Sequence, residues 1–241
     1  MRPSLRNQLV ALLEPRSSIG KRPRRRLDEE TVSAHPADMT EVKICGLTTV
    51  DDALRCIERG VDSIGLNFWP ASPRCVDART ARAIVEAGGE HVQMVGVFVD
   101  FSLEQVQEIL LETGIGWVQL HGAEPPELLA ALLPNAYKAI SVKDGSAIEL
   151  ARTYPGEHIL LDASVPGMPG GTGKTFDWAI ATEVAKERKL TLAGGLTPDN
   201  VAEAVATVKP FRVDVASGVE SKPGRKDPDL VNRFIDAAKG A

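Results

Sequence analysis

Cys45 stands where the apolar, β-branched run Val42-Lys43-Ile44 gives way to Gly46. A thiol at the end of a strand, turned toward the following loop, can reach a ligand. The same residue can equally be a small hydrophobe of the core. Asp162 follows another apolar run, Ile159-Leu160-Leu161. It is either a solvated turn residue or, facing Cys45 across a shared opening, a partner in proton transfer. The junction Asn67-Phe68-Trp69-Pro70-Ala71-Ser72-Pro73-Arg74 sets aromatic surface beside one guanidinium. That pairing suits an aromatic ring carrying a carboxylate, which arginine binds bidentately. A fourth run ends in Gln119-Leu120-His121-Gly122, which makes Gln119 and His121 candidate substrate contacts, with His121 read as a hydrogen-bonding residue.

Two glycine-bearing junctions complete the set. Gly194-Gly195 follows Leu192-Ala193, and Ser217-Gly218 follows Val215-Ala216. Glycines let the backbone approach a ligand, and unpaired N–H groups at turns and helix starts favour an anion. These loops are therefore expected to hold a phosphate through Gly194, Gly195, Ser217 and Gly218, tight turns being the plainer reading. The glycines at 170–173 invite a nucleotide assignment that fails on spacing. A P-loop needs glycine at Met168, and a dinucleotide fingerprint needs it at Phe176. A lid over the site is the expectation there. His35, His91 and His158 have no metal-ligand spacing with His121, so no metal is expected.

These residues need a scaffold that brings strand ends together. Apolar strand-like runs recur at 41–46, 63–68, 91–99, 116–121, 135–141, 158–163, 190–194 and 211–216, each followed by helical spacing. Alternation of strand and helix implies a parallel sheet covered by helices. Thr49, Ser102 and Thr197 read as helix caps. Eight such units after Met39 predict a single (β/α)₈ barrel over 39–241, near the ~200-residue lower limit of that fold. An open doubly wound sheet is the competing arrangement. In a barrel the chemistry belongs at the carboxyl ends of the strands, where the polar residues fall.

The composition agrees with a soluble enzyme-sized domain. Of 241 residues, 43% are apolar and 25% charged, with a net charge of −5. Residues 1–38 differ, with eight Lys/Arg against five Asp/Glu and no sustained apolar period. They are expected to form a disordered basic leader, with a natural start at Met39 as the alternative. The remainder is more acidic than the whole, which argues against a nucleic-acid surface. No apolar run approaches the ~18 residues of a membrane span. Three cysteines without a Cys-x-x-Cys pair fit a reducing compartment, hence a cytoplasmic location.

Taken together, the motifs resemble the phosphoribosylanthranilate isomerases of tryptophan biosynthesis. The resembling segments are Lys43–Thr48, Ser72–Arg74, Val95–Phe98, Val118–Gly122, Leu161-Asp162, Gly170–Trp178, Ala193–Leu196 and Asp214–Glu220, in order along the chain. The leader departs from the family pattern. The resemblance implies a (β/α)₈ barrel, no cofactor, and a phosphorylated small-molecule substrate bound by a monomer or homodimer. It implies an Amadori rearrangement in which Asp162 is the general acid, Cys45 the general base and Arg74 the holder of the anthranilate carboxylate. A related histidine-pathway isomerase uses aspartate where Cys45 stands, and a catalytically silent phosphate-binding barrel is the non-enzymatic alternative. The mechanism also requires the proton on the carboxyl and not on the thiol. Free Asp and Cys titrate near ~3.9 and ~8.5, a gap of roughly 6 kcal/mol in the wrong direction. Desolvation of Asp162 and positive potential lowering Cys45 are the expected remedy.

Overall fold

The structure is a computed structural model that describes residues 39–162 and 178–240. The expected leader over 1–38 and the glycine-rich lid at 170–175 lie outside them. Eight strands alternate with helices: β1 (Glu41–Cys45), α1 (Val50–Glu58), β2 (Ser63–Asn67), α2 (Ala78–Gly88), β3 (Gln93–Phe98), α3 (Leu103–Thr113), β4 (Trp117–Leu120) and α4 (Pro126–Leu132). The second half continues with β5 (Ala136–Ser141), α5 (Ser146–Thr153), β6 (His158–Asp162), α6 (Trp178–Glu187), β7 (Lys189–Ala193), α7 (Val201–Val208), β8 (Arg212–Val215) and α8 (Pro228–Lys239). A short hairpin, β9 (Glu220–Lys222) with β10 (Arg225–Lys226), sits between β8 and α8.

All eight strands pair in parallel and the ring closes from β8 back to β1, which rules out the open sheet. The closing register sets Lys43 opposite Asp214 and Ile44 opposite Val215. Side chains alternate along each strand. Val42 and Ile44 belong to the large apolar cluster shared with the helices. A smaller cluster of Val95, Tyr137, Ala139, Leu160 and Ala193 is separate from it. Beside this smaller cluster lie the buried polar groups Lys43, Gln119 and Asp214. Lys43 on β1 reaches Gln119 on β4, a strand that is not its neighbour, so their contact crosses the lumen.

Local chemistry explains the helix positions. Thr49 accepts from the Asp52 amide to start α1, and Ser102 forms a capping box with Gln105 at α3. Thr197 departs from expectation. Its hydroxyl accepts from the Asp199 amide in a turn, and α7 begins only after Asn200. The Asn200 side chain spans that turn, its Oδ1 accepting from the Thr197 amide and its Nδ2 donating to the Gly195 carbonyl. The strand bounds differ from the expected runs by one or two residues. His91 and Val92 precede β3 in this way.

The last helix secures the seam. Asp227 accepts from the Asp229 and Leu230 amides, Pro228 opens the first turn, and Val231, Phe234, Ile235 and Ala238 form the buried stripe. Phe234 is completely buried. Its truncation in Phe234→Ala is expected to cost about 3–5 kcal/mol. The measurement is the urea midpoint at unchanged slope, and a shift worth under about 1 kcal/mol would contradict this packing.

Candidate active site

At the carboxyl ends of the strands lies a cavity of about 270 Å³. All nine residues singled out from the sequence line it: Cys45, Arg74, Gln119, His121, Asp162, Gly194, Gly195, Ser217 and Gly218. Asn67, Ser72 and Asp214 join them. A larger, more open groove of about 720 Å³ sits at the opposite end between α2 and α3, beside Arg82, Glu86 and Trp117. It contains none of these groups.

Cys45 ends β1, and the amides of Gly46 and Leu47 both donate to the Gly65 carbonyl at 2.9 and 3.2 Å. Gly46 has φ 76°, and a Cβ there would lie 2.5 Å from Cδ of Arg74. Only glycine lets the arginine pack so close beside the cysteine. Burial pushes the Cys45 thiol above its ordinary value, although Lys43 and Lys226 pull it down. This corrects the expected net lowering: the positive potential is present, and desolvation outweighs it.

Arg74 is less free than its sequence suggests. Its Nε and Nη2 donate to Glu220 Oε1 and Oε2 at 2.8 and 2.6 Å, a two-bond clamp. Glu220 also accepts from Lys226 Nζ at 2.9 Å. Burial alone would raise the Glu220 carboxyl, but Arg74 and Lys226 outweigh it and hold the group below its usual range. The guanidinium is thereby fixed on one edge, and its Nη1 lies outside the clamp. The aromatic part of the same junction divides. Phe68 is buried in a stack with Phe98 at 5.2 Å, Trp69 is exposed, and neither lines the cavity.

Asp162 ends β6, and its Oδ2 lies 3.3 Å from His121 Nε2. The tautomer of that histidine follows from its neighbours. Lys43 has only donors, and its Nζ reaches Gln119 Oε1 at 3.0 Å; Tyr137 Oη donates to the same oxygen at 3.0 Å. The amide nitrogen of Gln119 must therefore face His121 Nδ1, 2.7 Å away. The network assigns the ring proton to Nε2, pointing at Asp162.

The loops after β7 and β8 supply backbone. Gly194 and Gly195 both adopt left-handed conformations, φ 87° and 69°. Gly218 packs so tightly on the Leu196 carbonyl that a Cβ would collide with it. The two loops thus touch, and their glycines and Ser217 share one wall.

Sequence reasoning did not select Lys43, Asp214, Tyr137 or Glu220 as site residues. Lys43 and Asp214 form an ion pair of 2.7 Å at 0% and 6% side-chain exposure. Their signal was a charge inside an otherwise apolar strand. Tyr137 and Glu220 carry no such signal, because their partners lie far away in the chain. Among the described residues no His, Cys, Asp and Glu are grouped to hold a metal ion, and no helix is long and apolar enough to cross a membrane.

The sequence pattern of N-(5'-phosphoribosyl)anthranilate isomerases matches residues 42–237. Over 202 residues the chain is 47% identical to the N-(5'-phosphoribosyl)anthranilate isomerase of Geobacter sulfurreducens, covering 84% of this chain and 100% of that one. The crystal structure of phosphoribosyl anthranilate isomerase from Thermotoga maritima superposes with a TM-score of 0.78 at 42% identity, over 84% of this chain and 100% of that one. A crystal structure of a phosphoribosyl anthranilate isomerase in complex with reduced 1-(o-carboxyphenylamino)-1-deoxyribulose 5-phosphate matches with a TM-score of 0.75 at 39% identity, over 84% of this chain and 100% of that one. With the closed barrel and the strand-end cavity already in place, these matches show that the chain belongs to the phosphoribosylanthranilate isomerase family.

Proposed function

We propose that Cys45 and Asp162 carry out, in this barrel, the reaction of its family: the Amadori rearrangement of N-(5-phosphoribosyl)anthranilate to 1-(2-carboxyphenylamino)-1-deoxyribulose 5-phosphate. The observation that carries the reading is the placing of a thiol and a carboxyl, 117 positions apart in sequence, in the wall of one cavity with Arg74 and the glycine loops. Asp162 donates its proton to the ring oxygen, the C1′–O bond breaks, and the anthranilate nitrogen lone pair forms the iminium. The Cys45 thiolate then takes the C2′ proton, and that C–H electron pair neutralises the iminium to give an enolamine. The enolamine gains a proton at C1′ and loses one from its C2′ hydroxyl, giving the ketone. Proton exchange with solvent restores the starting pair.

The remaining groups divide the substrate between them. The free edge of Arg74 holds the anthranilate carboxylate, and backbone N–H groups around Gly194, Gly195, Ser217 and Gly218 hold the phosphate. His121 keeps the Asp162 carboxyl turned toward the ring oxygen, and Gln119 keeps His121 in the donating tautomer. The cytoplasm is the compartment this reading assigns.

Two sets of variants test it. Cys45→Ser and Asp162→Asn are each expected to lower turnover about 10²–10⁴-fold, followed by the loss of substrate fluorescence, with the thermal midpoint retained. Turnover near the parent in either variant would remove that residue from its role. Arg74→Ala is expected to raise KM about 10–100-fold with a smaller change in kcat, because a charge-assisted contact is lost from ground and transition state alike. Glu220→Gln should raise KM in the same direction by less, since the guanidinium stays but loses its clamp. An unchanged KM in Glu220→Gln would mean that the clamp does not orient Arg74 for binding.

A further inference from the structure

We propose that Lys43 is a positioning residue for this reaction: its buried ammonium holds the negative charge of the Cys45 sulfur when that sulfur acts as base. The inference rests on the reading of Cys45 as the base, and it extends that reading to a residue with no access to the cavity.

Three features of the geometry carry it. Lys43 and Cys45 are two apart on β1, so their side chains leave the strand on the same face. Gly65 is the partner of Cys45 in the neighbouring strand. The point where its Cβ would stand is 2.6 Å from Cys45 Sγ and 3.1 Å from Lys43 Nζ, so sulfur and ammonium share the hollow that this glycine leaves. Finally, the ammonium has three N–H donors. Asp214 Oδ2 at 2.7 Å and Gln119 Oε1 at 3.0 Å take two, which leaves a third donor beside the hollow that the sulfur shares.

The surroundings of Cys45 define what the lysine must do. Lys43 faces it from β1, Asp214 from β8, Tyr137 from β5, Lys226 from β10 and Arg74 from the loop after β2. Burial pushes the Tyr137 hydroxyl up, so it remains neutral. Desolvation would drive Lys43 toward its neutral form, but the Asp214 carboxylate opposes it, joined by the Cys45 sulfur when that is ionised, and the lysine is held above its ordinary range. Asp214 repels a thiolate, and of the attractive groups Lys43 acts most strongly. If Lys43 served only to neutralise Asp214, removing the two together would leave the titration of Cys45 unchanged.

The test reads Cys45 directly. The rate of its alkylation by iodoacetamide is followed against pH, with modified peptides resolved by mass spectrometry so that Cys56 and Cys75 do not contribute. In Lys43→Met the midpoint is expected to climb by at least about one pH unit. General loosening of the barrel would instead hydrate the sulfur and move the midpoint down. The kcat/KM plateau of Lys43→Met should drop by up to about tenfold for each unit the midpoint climbs. Lys43→Met leaves Asp214 buried without a counter-charge and can fail to fold. The same comparison is then made between the parent and Lys43→Met/Asp214→Asn, neither of which strands a charge, and the double variant should titrate higher because Lys43 acts on the sulfur more strongly than Asp214. Equal midpoints within either folded pair would overturn the proposal. Because alkylation needs no turnover, that result is distinct from a failure of Cys45→Ser to lose activity.

Discussion

An ammonium group with 0% side-chain exposure sits on the seam where the barrel closes, and the site is organised around it. Removing an ammonium from water costs several kcal/mol even after the surroundings relax. The β1–β8 register offsets part of that cost by setting Asp214 directly opposite Lys43. Gln119, arriving across the lumen from β4, adds a second acceptor. Any slip in the closing register would leave both charges buried and unmatched, so the pair specifies the closure as much as it stabilises it. The same bond then has a chemical consequence. With its oxygen committed to Lys43 and Tyr137, Gln119 can only donate to His121, and His121 can only donate to Asp162. One cation therefore stands next to the proposed base and, through two side chains, fixes the orientation of the proposed acid.

Much of this scaffold was legible in the chain because buried parallel strands leave a plain trace. Eight apolar runs separated by helical spacing admit few arrangements, and Cys45, Asp162 and the paired glycines stand at the ends of those runs, where polarity changes abruptly. What sequence did not reveal depends on contacts between distant positions. Glu220 and Arg74 are separated by 146 residues, and nothing local marks one as the clamp of the other. Lys43 and Asp214 lie inside strands, where a lone charge reads as a break in the apolar pattern until a partner across the seam is known. Thr197 failed for a local reason: the Asn200 side chain bonds back to Thr197 and Gly195 across a turn, and the helix starts only after it.

The least intuitive property of the site is that its thiol is harder to ionise than a free one, although Lys43, Lys226 and Arg74 surround it. For a group needed as a thiolate, the simple expectation is a thiol lowered as far as those charges allow. The requirement of the reaction is different. Taking a proton from carbon needs a strong base, and basicity falls as the thiol becomes easier to ionise. Each unit by which the thiol lies above the working pH costs a factor of ten in thiolate, about 1.36 kcal/mol, and Brønsted behaviour returns part of that as reactivity. Burial makes the sulfur basic, and the neighbouring cations keep the thiolate from becoming inaccessible. On this account the barrel interior holds the two effects in opposition: an apolar wall that disfavours charge, and one lysine placed where that charge must transiently form.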